Sequence, residues 1–166
     1  MPQLTEKFRN AFRVHPAGVS IVTAHVDGRP VGMTVSSLAS LTLEPLSVSF
    51  SLSQLSGSAG GLVKASSFLI HLLGEQHAEL AGTFARKGTE RFTDEQGWDY
   101  LATGEPYLPS APAALRARPL AVTEVGEARL IAAEVISVIR GPDSPALVYH
   151  DRQFLSIAQL QLAAAD

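Results

Sequence analysis

The stretch GVSIVTAHVDGRPVGMTVS, residues 18–36, carries a complete hairpin in its residue types. Gly18 to Val26 is rich in β-branched residues and runs into Asp27-Gly28-Arg29-Pro30, a strong turn signal, after which Val31 to Ser36 returns as the partner strand. Working outward, Leu46 to Ser53 alternates without a fault, with Leu46, Val48, Phe50 and Leu52 on one face and Ser47, Ser49, Ser51 and Ser53 on the other. The apolar face suits a core; the hydroxyl face suits either solvent or a polar ligand. Upstream, Phe8, Ala11 and Phe12 recur at helical spacing, which predicts an amphipathic helix capped at Thr5 and stopped before Pro16. Downstream, the glycine cluster Gly57 to Gly61 leads into a short helix, followed by a strand from Ser67 to Leu73 and a helical stretch from Glu75 to Phe84. Thr89 to Pro112, which holds Trp98, reads as a long ordered loop and a candidate lid. Leu115 to Glu124 and Ala128 to Arg140 are long β-type runs, and Ala146 to His150 with Gln153 to Ile157 form a hairpin around Asp151-Arg152. About eight strands result, too many for these helices to cover on both faces, so the sheet is expected to close into a barrel and remove its edges.

The chain has 166 residues, 46% hydrophobic and 17% charged, which predicts one globular domain over 1–166. A compact monomer of this mass exposes roughly 7,900 Å². The absence of cysteine excludes disulfides, thiolate nucleophiles and thiolate-bound metal, and fits a cytoplasmic protein. A net charge of −3 argues against nucleic acid or an anionic membrane as the main partner. MPQLTEKFRNAFR is too poor in apolar residues for a signal peptide, and no apolar run approaches bilayer length, so a soluble protein is expected.

The chemical inventory is narrow. The five histidines are scattered without metal-ligand spacing. There is no nucleophile elbow, Walker loop or dinucleotide fingerprint, and Asp94 and Glu95 read as solvated charges. What stands out is hydroxyl density: Thr34, Ser36, Ser37 and Ser40, then Ser51, Ser53, Ser56 and Ser58. Hydroxyls and loop N–H groups suit phosphate oxygens, and a helix starting near Ser58 would add its positive end. Serines also decorate solvent-facing strands and turns, and residue types alone leave both readings open. Arg86-Lys87 could supply a cation or could simply complement a helix C-terminus.

His15-Pro16-Ala17-Gly18-Val19-Ser20-Ile21-Val22-Thr23-Ala24, then Asp27 to Leu38 with its Gly32-Met33-Thr34-Val35-Ser36-Ser37 core, then Glu44-Pro45, resembles the flavin reductase-like FMN-binding split barrel family. Its best-known members are the small reductase components of two-component flavin monooxygenases. The resemblance continues through Ser51 to Ser58, Leu80 to Gly88, Arg91-Phe92, Trp98, Gly104, Pro106 and Leu147 to His150. It implies a mainly β fold, an antiparallel Greek-key split β-barrel with a few flanking helices, assembled as a homodimer with FMN in a groove near the subunit interface. By matching positions, Met33, Thr34, Val35, Ser36 and Ser37 would line the isoalloxazine and ribityl chain. Ser51, Leu52, Ser53 and Ser58 would approach the phosphate, with Lys87 as its cation; the side chains of Leu38, Leu52 and Trp98 themselves read as core or lid.

The implied activity is an NAD(P)H-dependent flavin reductase, with NADH or NADPH as reductant, FMN or FAD as acceptor, and a monooxygenase as recipient of the reduced flavin. One departure stands out: relatives carry Gly-Asp-His where this chain has Gly126-Glu127-Ala128, and Arg129 or His150 would have to fill the space on the nicotinamide side. A flavin-binding electron carrier on the same barrel is the competing reading. A single-strand nucleic-acid module is a third, disfavoured by the charge balance and the scattered aromatics.

Overall fold

The computed structural model describes residues 2–53 and 55–163. Helix α1 (Pro2–Arg13) opens the chain, followed by β1 (Ala17–Gly18), β2 (Ser20–Val26), β3 (Arg29–Val35), β4 (Ala39–Leu43) and β5 (Leu46–Leu52). Helix α2 (Ser58–Lys64), β6 (Phe68–Leu72) and α3 (Ala78–Ala85) come next, then the short pair β7 (Asp99–Tyr100) and β8 (Pro106–Tyr107). The long strands β9 (Ala113–Val125) and β10 (Ala128–Arg140), the hairpin β11 (Leu147–His150) and β12 (Gln153–Ser156), and α4 (Ile157–Ala163) complete it.

Seven strands form one antiparallel sheet in the order β3-β2-β6-β9-β10-β5-β4. The β2–β3 turn is made as its sequence predicts, with Asp27 and Gly28 both left-handed at φ 52° and 75°. The barrel does not close by strand pairing: β3 and β4 remain at the ends of the order, and every residue of β4 is exposed. Across the opening, the Ser51 N–H donates to Ser37 Oγ at 2.9 Å and that hydroxyl donates to the Ser51 carbonyl at 3.3 Å. One serine side chain thus bridges the split where a strand would otherwise pair.

Two further expectations change. The expected strand over Gly18 to Val26 is divided at Val19, whose N–H donates to the Leu147 carbonyl while its carbonyl accepts from the Leu73 N–H, both at 3.2 Å. The chain there passes from the β1-β11-β12 sheet into the barrel wall. Helix α1 starts at Pro2, so Thr5 lies inside the helix rather than at its cap; proline is tolerated in a first turn because its missing N–H has no helical partner anyway.

Residues Ser20 to Ala24 of β2 are all buried because the barrel wall is covered on both sides. Val22, Phe50, Leu52, Phe68, Ile70 and Ile131 fill the interior, with Phe50 and Phe68 edge to face at 5.4 Å. A second core of Ile21, Ala81, Phe84, Leu108 and Leu147 lies outside the wall under α3. Trp98 packs there, 5.2 Å from both Phe84 and Phe92 and 5.4 Å from His71. Glu105 is buried and holds Arg116 at 2.9 Å, and Thr23 donates to the Pro106 carbonyl at 2.6 Å. The segment read as a candidate lid packs on the barrel through Trp98, Glu105 and Pro106.

Candidate functional site

The period of two along β3 sends consecutive side chains to opposite sides. Met33 packs against the barrel interior and reaches the rim, whereas Thr34 faces α3 and donates to the Ala81 carbonyl at 2.7 Å. That bond seats α3 on β3, and the chain leaving α3 then folds back. Thr89 Oγ1 donates to the Thr83 carbonyl at 2.6 Å, and Gly88 takes φ 72°, a conformation glycine adopts without steric cost. The fold-back delivers Lys87 and Arg91 beside the start of α2.

The result is a cleft of about 530 Å³ lined by Ser53, Ser56 and Ser58 on one side and by Lys87, Thr89 and Arg91 on the other, with Met33 at its floor. Arg91 organises it. Its Nη1 donates to the Gly32 carbonyl and to Ser58 Oγ, each at 2.7 Å, and its Nη2 donates to the Arg86 carbonyl at 2.5 Å. The guanidinium lies 5.4 Å from the centre of the Phe84 ring. Its Nε–H is buried without a protein partner. Burial pulls the Arg91 pKa below its ordinary value, but arginine stays charged in proteins. No carboxylate is among the lining residues. Hydroxyls, two basic side chains and an unfilled buried donor fit the phosphate end of an anionic ligand.

A second cleft, of about 460 Å³, lies beyond Ala85, which lines both. Thr34 at the end of β3 and Ser36 just past it, Gly82 from α3 and Arg86 just past its end, and Tyr149, Arg152 and Phe154 from the β11–β12 hairpin surround it. A third depression, of about 440 Å³, adjoins the first through Ser56 and is flanked by Arg129. Arg129 folds back on its own hairpin, with Nη2 at 2.6 Å from Glu124 and Nη1 donating to the Ala128 carbonyl at 3.0 Å.

The residues singled out from sequence therefore divide. Met33, Ser53, Ser58 and Lys87 converge on the first cleft, and Thr34 and Ser36 line the second. Ser37 and Ser51 are engaged with each other at the split. The side chains of Val35 and Leu52 are buried in the barrel interior, so only their backbones could meet a ligand. His150 is half-buried on β11 and lines neither of the first two clefts. Ser56, from the hydroxyl cluster read in the sequence, also lines the first cleft, and Arg91 and Arg152 are additional lining residues; a basic residue just past a glycine that lets the chain turn back was the available signal for Arg91. Among the described residues no three His, Asp or Glu gather as metal ligands, and no helix is long and apolar enough to cross a membrane.

Comparison with known proteins gives a consistent picture. The family profile described as "Flavin reductase like domain" matches residues 12–158. An NADH:FMN oxidoreductase of Rhodococcus erythropolis is 40% identical over 151 residues, covering 89% of this chain and 79% of that protein. The reductase component of a 4-nitrophenol 4-monooxygenase/4-nitrocatechol 2-monooxygenase of Rhodococcus opacus is 37% identical over 146 residues, covering 88% and 78%. Among solved structures, a flavin reductase domain protein from Arthrobacter sp. FB24 superposes with a TM-score of 0.85 at 28% identity, covering 92% of this chain and 94% of that one.

Proposed function

The chain belongs to the flavin reductase-like domain family, and from that premise we propose that it is an NADH:FMN oxidoreductase that passes reduced flavin to a monooxygenase. The observation that carries the reading is the first cleft, where three serine hydroxyls and two cations meet with no carboxylate among the lining residues.

Ser53, Ser56, Ser58, Lys87 and Arg91 would hold the flavin phosphate, and the end of β3 from Met33 to Ser37 would run beside the ring. When bound, the flavin supplies an acceptor for hydride from the nicotinamide. The protein's part is binding, orientation and electrostatics. Because Arg91 donates to Ser58 Oγ at 2.7 Å, the Ser58 hydroxyl hydrogen is left to donate into the cleft. Arg91 Nη1 is committed to the Gly32 carbonyl and the Ser58 hydroxyl and Nη2 to the Arg86 carbonyl, so only part of its five-hydrogen donor set is left for a phosphate. FAD is accommodated if its adenylate extends from the open end. A cytoplasmic location follows from the dependence on NADH.

The same reading includes a homodimer. The chain exposes 9882 Å² where a compact monomer of its mass exposes roughly 7,900 Å². Leu41, Leu43, Leu46 and Val138 stand exposed around one groove between β4, β5 and β10, apolar surface of the kind a partner covers.

The test is direct: titrate the purified protein with FMN, follow the change in flavin fluorescence, then add NADH without oxygen and watch the yellow absorbance fade. Saturable binding with bleaching far faster than in free FMN is expected. No binding overturns the proposal, and binding without bleaching leaves a flavin carrier.

A further inference from the structure

Sulfur is scarce in this chain, which has no cysteine and two methionines, Met1 and Met33. Met33 lies at the floor of the first cleft, half-buried rather than sealed. Its side chain packs against the barrel core, and in the strand register it stands opposite Val22 of β2. The strand is pinned on both sides of it. The Gly32 carbonyl before it accepts from Arg91 Nη1, and Thr34 after it donates to the Ala81 carbonyl, each at 2.7 Å. A change in the size or polarity of the Met33 side chain is therefore felt in the cleft, because the backbone is not free to carry it away.

A thioether at this place has a reactivity that another apolar side chain would lack. Oxygen that meets reduced flavin before a monooxygenase does takes two electrons and two protons from it and becomes hydrogen peroxide. Where the flavin is held in the first cleft, that peroxide arises beside Met33, and the chain has no thiol to compete for it. A sulfur lone pair attacks one peroxide oxygen, the S–O bond forms as the O–O bond breaks, and the departing hydroxide takes the remaining proton and leaves as water. Sulfur is oxidised by two electrons and the peroxide is reduced by the same two. The sulfoxide is polar where the thioether was apolar, and its oxygen is an acceptor that needs donors. The cleft has uncommitted ones in the buried Arg91 Nε–H and the Ser58 hydroxyl hydrogen. Those are the donors a flavin phosphate would use.

Resting on the flavin reductase reading, we infer that Met33 is an oxidation site, at which peroxide from turnover without a monooxygenase converts the thioether to the sulfoxide and lowers the affinity of the first cleft for FMN. The modification restrains NADH consumption when reduced flavin has no recipient, and methionine sulfoxide reductases reverse it.

The experiment treats flavin-free protein with hydrogen peroxide, locates the added oxygen by peptide mass spectrometry, and reads FMN affinity by fluorescence titration before and after. Met33 is expected to gain one oxygen and the affinity to fall by about tenfold, the loss expected when a donor is diverted to another acceptor. Methionine sulfoxide reductases are expected to restore it. Met33→Leu is compared with its own untreated form, and its affinity is expected to be the same before and after peroxide. In a second arm the wild type turns over NADH and FMN with no monooxygenase, and Met33 sulfoxide is expected to accumulate in air and to stay absent without oxygen. Met33 left unmodified in either arm overturns the inference, as does sulfoxide that forms equally without oxygen. Unchanged FMN affinity with Met33 fully oxidised overturns it too, as does a loss that the reductases do not reverse or that treated Met33→Leu shares. If the untreated wild type binds FMN and oxidises NADH and any of these is found, only this inference fails. If it does neither, the flavin reductase reading fails and takes this one with it.

Discussion

Arg91 ties the Gly32 and Arg86 carbonyls to the Ser58 hydroxyl, and its effect on the first cleft runs through Ser58. Ser58→Ala removes the hydroxyl that Arg91 orients, and is expected to weaken FMN binding by about tenfold with little change in stability, since Ser58 is at the rim. Arg91→Gln removes a cation and the bonds to the Gly32 and Arg86 carbonyls as well, so a larger loss is expected, together with lower thermal stability. Fluorescence titration and thermal unfolding of the two variants separate the effects. His71 gives a prediction of another kind. It is fully buried, and the Leu108 N–H donates to its Nε2 at 3.2 Å, so the ring proton sits on Nδ1 and donates to the Ile21 carbonyl at 3.0 Å. Burial, reinforced by His77, holds its pKa at about 4 against an ordinary 6.5 even though the bond to Ile21 pulls the other way. Between those values the unfolded chain takes up a proton that the folded chain refuses. Stability is therefore complete above pH 6.5 and falls as the pH drops toward 4, by about 3 kcal/mol in all. Denaturant unfolding of wild type and His71→Gln across that range checks it; a slope unchanged by the substitution would assign the loss to other groups.

At the scale of elements, the strand that decides the site is β3, and its geometry depends on a missing side chain. A Cβ at Gly32 would lie 2.9 Å from Phe92 Cζ, 3.0 Å from Phe84 Cε1 and 3.2 Å from Thr23 Cγ2. Gly32→Ala is therefore expected to cost about 1–3 kcal/mol through overpacking and to loosen the first cleft, because the Gly32 carbonyl is an anchor of Arg91. Denaturant unfolding and FMN titration on the same variant should move together. The same region shows what sequence reading could reach. The β2–β3 hairpin was legible because Asp27-Gly28 is local turn chemistry, and β5 because Val48, Phe50 and Leu52 meet the core on every second residue. The break at Val19 was not legible, since it is imposed by Leu73 and Leu147, which lie far along the chain. The serines and Lys87 announced an anion site by residue type, and the family resemblance gave it an occupant. The place of Arg91 depends on a fold-back fixed by Thr83, Thr89 and Gly88, and the role of Ser37 as a bridge depends on which strands fail to pair. Neither leaves a periodic trace.

The whole molecule carries more exposed apolar surface than its charge pattern would keep apart. Leu43 is 82% exposed and Val138 52%, and both flank a groove of about 280 Å³ between β4, β5 and β10 in which Ser47 Oγ is buried without a partner. An orphaned hydroxyl under an apolar surface is a cost that a second chain can remove. Helix α1 adds a stripe of Leu4, Phe8 and Phe12, each at least 60% exposed and none packed on the body. A net charge of −3 is too small to oppose association. Sedimentation of the wild type is therefore expected to give twice the chain mass of 17.6 kDa. The pair Leu43→Asp and Val138→Asp sets buried carboxylates at the centre of the proposed contact, where an unpaired charge is strongly unfavourable, and is expected to yield single chains that keep their strand content by circular dichroism. Neither residue lines the first or second cleft, so FMN binding by those single chains reports whether the cofactor site needs its partner. A wild type that sediments as a single chain would leave this face unexplained and remove the dimer from the proposal.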